Sequence, residues 1–239
     1  MKIKSILLSV SCLMALPLIQ AQAQVIPLVN GDFSANQGQS KIFFWDSAGV
    51  PTGLIPGWIP TGPGAAINYD LGGGYVGNSG VDGASDNSNY GGACHLWLDS
   101  YDPSVYNTSS YTIQPGDQYS LSLNVSGEWA ADGNHNTTVS LYYLAGSTRV
   151  VFATDSFNTP NAWAWTPESF TAAAPSAAFG DLLGVEIQNV TPEGLPTSNS
   201  DSYTAYGNVV LSSVAVPEPA SIALFGLGGL ALVAFRRRA

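Results

Sequence analysis

Two histidines, six tryptophans and sixteen acidic residues carry whatever chemistry residues 24–215 can perform. His95 stands in the apolar run Ala93-Cys94-His95-Leu96-Trp97-Leu98 and reads as a satisfied core or sheet residue. His135 lies in the polar turn Asp132-Gly133-Asn134-His135-Asn136. Neither is framed by G-x-S-x-G or H-E-x-x-H, and no cysteine pair has metal-ligand spacing. Glycoside hydrolysis asks only for two carboxylates about 5–9.5 Å apart, and the acids here have no context that singles out such a pair. The tryptophans point to binding. Sugar rings present axial C–H groups that stack on aromatic faces, and their hydroxyls pair with Asn, Asp and Gln. A site of that kind needs a flat, partly exposed ring beside a polar loop. Trp129 meets this requirement in Gly127-Glu128-Trp129, just before the polar turn, and Trp163 and Trp165 share a face if their segment is a strand. Trp58 and Trp97 are expected in the core.

Two further stretches have bland readings. Gly72-Gly73-Gly74-Tyr75-Val76-Gly77 spells G-x-G-x-x-G, but no helical pattern follows, so it reads as a loop rather than a nucleotide cradle. Asp82-Gly83-Ala84-Ser85-Asp86-Asn87 lacks the spacing and the bidentate Glu of a calcium loop and reads as solvated. Charge excludes more. Lys41 and Arg149 are the cations of residues 24–215, set against sixteen acids, for a formal charge of −14. Such a surface repels phosphate backbones, which excludes nucleic-acid binding and makes a phosphate-clamping enzyme untenable. No enzyme is expected.

The elements that must position these side chains are strands. In Tyr119-Ser120-Leu121-Ser122-Leu123-Asn124-Val125-Ser126, apolar and polar residues alternate with period two, and Leu183–Gln188 repeats the pattern. Further strands are expected at Lys41–Trp45, Pro56–Pro60, Ala66–Tyr69, His95–Leu98, Val139–Leu144, Arg149–Thr154, Ser169–Ala172 and Tyr206–Val214. Turn chemistry separates them at Gln114-Pro115-Gly116-Asp117, Ala145-Gly146-Ser147 and Thr191-Pro192-Glu193-Gly194. One wet face per strand implies antiparallel sheets on a common core, an all-β two-sheet sandwich of jelly-roll type. Cys94, the lone cysteine after residue 23, is expected as a small buried hydrophobe.

The two ends are addresses. Residues 1–23 read as a secretory signal: Lys2 and Lys4, the apolar run Ile6–Ile19, and the small-x-small site Ala21-Gln22-Ala23. Residues 216–239 carry Val216-Pro217-Glu218-Pro219, the apolar run Ile222–Phe235 and the cluster Arg236-Arg237-Arg238. That apolar run gives about 21 Å of helix against a hydrocarbon core of about 30 Å, so the arginines must snorkel, and they fix their end in the cytoplasm. This tail resembles the PEP-CTERM sorting signal of Gram-negative bacteria. The resemblance implies transient anchoring in the inner membrane, processing by exosortase, and delivery to the cell surface or an exopolysaccharide matrix.

The middle has a resemblance of its own. Leu28-Val29-Asn30-Gly31-Asp32-Phe33-Ser34 opens it, Ile55-Pro56-Gly57-Trp58 follows, Thr112–Ser122 lies mid-chain, and Tyr206-Gly207-Asn208-Val209-Val210-Leu211 closes it. The order resembles galactose-binding-like and carbohydrate-binding jelly rolls, in which the opening motif forms a strand. Many members hold a structural calcium between the opening and closing strands. Asp32 and Asn208 match that site, whereas Gly207 stands where an Asp is usual. No other cofactor is implied. The leading expectation is a non-enzymatic glycan binder, the alternatives being a structural matrix protein without ligand or a glycan-active enzyme.

Overall fold

The computed structural model describes residues 23–36, 42–43, 53, 55–61, 74–78, 94–98, 104–128, 135–159, 165–190 and 203–215. Residues 23–214 form one compact unit. The described strands make two antiparallel sheets. The first has five strands in the order β3 (Ile59–Thr61), β6 (Ser104–Thr112), β11 (Leu182–Val190), β8 (His135–Ala145) and β9 (Thr148–Thr159). The second has seven. Its path is β10 (Thr166–Ala173), β7 (Asp117–Glu128), β12 (Tyr203–Ala215), β5 (Cys94–Leu98), β4 (Gly74–Asn78) and β2 (Ile42–Phe43), with β1 (Gln24–Ile26) paired to β12. Short 3-10 turns at Ser34–Asn36 and Ser176–Ala178 are the helical elements among the described residues. The all-β sandwich is as the alternation implies. Residues 1–22 and 216–239 of the signal and tail segments lie outside the described residues, and among the described residues no helix is long and apolar enough to cross a membrane.

The core follows from the period. Tyr119, Leu121, Leu123 and Val125 of β7 are buried, as are Leu183, Val185 and Ile187 of β11, and Val139 and Leu141 of β8. They belong to a single cluster. Each such side chain contributes about 1.5–3 kcal/mol on leaving water. In β12 the positions in the inter-sheet cluster run Tyr206, Val209 and Leu211, so one residue too many separates the first two. Asn208 absorbs it in a left-handed conformation (φ 51°), a bulge that restores the apolar phase. Before the bulge β12 pairs with β5 (Tyr206 opposite Leu96), and after it with β1 (Leu211 opposite Ile26).

Several expectations are corrected. Gly74–Gly77 is not loop but part of β4, with Tyr75 opposite Trp97 of β5 and Phe43 of β2. Backbone pairing on both sides supplies the order that glycine side chains cannot. Leu28–Phe33 is not a strand but a turn held by Phe33 N–H on the Asn30 carbonyl (3.1 Å), with Asn30 and Phe33 left-handed (φ 56° and 58°). The strand precedes it, at β1. Ile55–Trp58 is likewise a turn, with Gly57 at φ 79°, so the strand begins at Ile59 rather than Pro56. His135 is not in a turn; it opens β8 opposite Thr159. The strand expected at Ala66–Tyr69 and the loop at Asp82–Asn87 lie outside the described residues.

Candidate functional site

The outer face of the five-stranded sheet is set by register. Neighbouring strands lie about 4.8 Å apart, so residues in register form rows across the sheet. One row is Thr61, Ser104, Gln188, Thr138 and Ser156. The next is Ile59, Tyr106, Glu186, Ser140 and Thr154. A third holds Thr108, Gly184, Tyr142 and Val151. Hydroxyls pair across strands, Ser140 with Thr154 at 3.0 Å and Thr138 with Ser156 at 3.1 Å.

Arg149 organises the centre. It leaves β9, and its long stem brings the guanidinium 3.8 Å above the Tyr106 ring and 5.8 Å from the Tyr142 ring. One nitrogen meets the Glu186 carboxylate at 3.1 Å. The other Glu186 oxygen accepts the Ser104 hydroxyl at 2.9 Å. Residues from four strands thereby fix one charge pair. Its partners are about a quarter exposed, so solvent screens much of their attraction. Beside them the Tyr142 ring lies across Gly184, where any side chain would collide, and its hydroxyl meets Thr108 at 2.7 Å. Burial pushes the Tyr142 phenol up to about 12, against the lowering effects of the Thr108 hydrogen bond and the Arg149 charge. Tyr106 stays half-buried and meets Tyr142 edge-on at 6.1 Å. The product is a hydroxyl-rich surface with a tyrosine ring and a neutralised charge pair at its middle.

The residues expected from sequence fall elsewhere. Trp129, Trp163 and the tail residues Val216, Pro217, Glu218, Pro219, Arg236, Arg237 and Arg238 lie outside the described residues. Trp165 is half-buried on the outer face of the other sheet. Its ring lies 3.7 Å from where a Gly207 side chain would begin and meets His95 edge-on at 5.5 Å. His95 is buried against Trp97 at 4.7 Å. Trp58 is core as expected, stacked on Phe33 at 5.3 Å, its indole N–H donating to the Asn30 carbonyl at 3.0 Å. Trp97 is buried too, but outside the inter-sheet cluster, on the face it shares with His95. Sequence gave no signal for Tyr106, Glu186 and Ser104. Arg149 had one, as one of two cations in a strongly acidic stretch.

Asp32 and Asn208 do line one hollow, with Asn30, Gly31 and Val209. Several oxygens there are engaged by protein donors. One Asp32 oxygen accepts the Ser34 N–H (3.1 Å) and hydroxyl (2.9 Å), the Asn30 side-chain oxygen accepts the Ala35 N–H (2.9 Å), and the Gly31 carbonyl accepts the Val209 N–H (2.9 Å). A side chain at 207 would point at the Trp165 ring. Calcium wants six to eight oxygens, and among the described residues no three acidic, His or Cys side chains converge. The residues present do not fit a resident calcium.

Comparisons with known proteins bear on both ends of the question. Residues 215–238 match the family model of the PEP-CTERM protein-sorting motif, so the chain carries that signal. The motif marks it for export and surface sorting in a Gram-negative bacterium, with processing by exosortase. No curated protein matches the sequence. A cyclase from Fischerella sp. TAU, solved with 4-(1H-indol-3-yl)butan-2-one, is 20% identical with a TM-score of 0.58, covering 82% of this chain and 100% of its own. The Stig cyclase Fisc from Fischerella sp. TAU, solved with an indole compound, gives 18% and 0.57 over the same shares. These likenesses show a shared fold. The carbohydrate-binding module TmCBM61, solved with a β-1,4-galactotriose, is more distant, at 12% identity and a TM-score of 0.40, covering 71% of this chain and 97% of its own.

Proposed function

We propose that the exported protein is a non-enzymatic glycan binder of the cell surface or exopolysaccharide matrix, and that the outer face of the five-stranded sheet is its binding surface. The observation that carries this reading is the Tyr106 ring, half-exposed in the middle of rows of hydroxyl and amide side chains. A sugar packs against the stacked Tyr106 and Arg149 side chains while its hydroxyls exchange hydrogen bonds with Gln188, Thr154 and Ser156. The leader is removed before Gln24, and the C-terminal apolar helix anchors the chain in the inner membrane until exosortase acts. Catalysis is disfavoured by the engagement of Glu186. Both its oxygens are held, by Arg149 and Ser104, so it is poorly placed to act as acid or base. The indole compounds named with the Fischerella cyclases call for apolar walls, whereas the row of Thr61, Ser104, Gln188, Thr138 and Ser156 is polar throughout.

The test is binding to a panel of soluble polysaccharides by wild type, Tyr106→Ala and Trp165→Ala, with thermal melting as the control for folding. Tyr106→Ala is expected to weaken binding by about 1–3 kcal/mol, the range for stacking on an aromatic platform. Loss confined to Trp165→Ala moves the site to the other sheet, where Glu128 and Trp165 lie at the same end of the β7–β10 pair. Absence of wild-type binding to every glycan leaves the structural-matrix reading.

A further inference from the structure

Arg149 is the one cation among the described residues, and it is cancelled where it stands. Its guanidinium lies 3.1 Å from Glu186 and 3.8 Å over the Tyr106 ring. The row beside it, Thr61, Ser104, Gln188, Thr138 and Ser156, is polar without charge. Residues 24–215 as a whole set sixteen acids against two cations. An anionic polymer therefore meets repulsion as it approaches and no uncompensated cation when it arrives. A sugar carboxylate that reached Arg149 would have to displace Glu186, leaving a partly buried carboxylate without its partner. Attraction for one ligand class and a built-in penalty against another are together what make a surface selective.

Resting on the glycan-binding reading of this face, we infer that it accepts uncharged glycan chains and rejects chains bearing carboxylates, with Glu186 as the specificity-determining residue. Glu186 acts in two ways. It occupies the cation that an acidic sugar would seek, and it fixes the guanidinium on the tyrosine so that the platform stays in place for a neutral one.

The experiment uses matched polymers: neutral polysaccharides, and the same polymers after oxidation of their primary hydroxyls to carboxylates. Wild type should lose roughly tenfold or more in affinity on oxidation at low salt, and the gap should narrow as salt screens the field. Glu186→Gln keeps the size and the Ser104 contact but releases the Arg149 charge, and should narrow the gap at low salt. Arg149→Gln, a second variant in case Glu186→Gln fails to fold, leaves Glu186 uncompensated and should widen it. Equal or tighter wild-type binding to the oxidised polymer overturns the inference while leaving glycan binding intact. A gap unmoved by either folded variant removes Glu186 from the role. Failure of wild type to bind the neutral and the oxidised polymers alike overturns the underlying glycan reading.

Discussion

A methyl group at Gly184 would lie 2.2 Å from the Tyr142 ring, whereas one at Gly207 would rest 3.7 Å from Trp165. The first is a collision with a ring pinned by its hydrogen bond to Thr108; the second is ordinary contact. Gly184→Ala is therefore expected to destabilise by about 1–3 kcal/mol, as overpacking does, and Gly207→Ala to be close to neutral. Chemical denaturation of the two variants checks this, and equal midpoints would contradict it. The tyrosines make a second prediction. Burial raises the phenols of Tyr111, Tyr119, Tyr142 and Tyr206, Tyr142 to about 12. In the unfolded chain they ionise near pH 10. The folded state keeps protons that the unfolded state gives up, so this stabilisation is whole below about pH 10 and is lost as pH rises towards 12. A cooperative alkaline unfolding in that window is expected, with phenolate absorbance appearing together with loss of β-type circular dichroism. Tyr142→Phe should make the alkaline limb shallower.

At the level of elements, alternation was legible where the inward residues of a strand are apolar, and β6 was missed because its inward positions beyond Val105 include Asn107 and Ser109. β7 is the clear case: Leu123 is buried and Ser122, its neighbour, is half-exposed opposite Ser169 of β10. Leu123→Asp should unfold the domain, since a buried unpaired charge costs several kcal/mol, and Ser122→Asp should be tolerated. Thermal melting separates the two. β4 was not legible, because glycines erase the apolar period and the strand exists through its partners β5 and β2. The opening turn was misread as a strand for a related reason: left-handed Asn30 and Phe33 leave no mark in hydropathy. The candidate surface was legible least. Tyr106, Arg149 and Glu186 are scattered over three strands, and only register makes them neighbours. Edge protection also emerges only in three dimensions. β9 ends its sheet, and Asp155, facing the core side opposite Val139, accepts the Ser156 N–H at 2.9 Å. An inward-pointing charge at a rim discourages pairing with another chain.

For the molecule as a whole, charge, the C-terminal sorting motif and the sandwich were readable from sequence. Calcium was an open possibility from sequence, but matching two residues to a motif does not count the oxygens already claimed by Ser34, Ala35 and Val209. The melting temperature of residues 24–215 should accordingly be the same in millimolar calcium and in chelator. A rise with calcium beyond about 2–4 °C, the shift equivalent to about 1 kcal/mol in a domain of this size, would restore the site.

The pairing of β1 with β12 also has a mechanical side. Gln24 lies opposite Ser213, so the chain enters and leaves the sandwich at neighbouring points. β12, with 13 residues, runs between β7 and β5 rather than along a rim. A tug on the chain beyond Ala215 acts along the axis of β12. Its ladder bonds stand perpendicular to that axis, so they are sheared together instead of peeling one at a time. The exit strand is thus the part of the sandwich best suited to withstand traction.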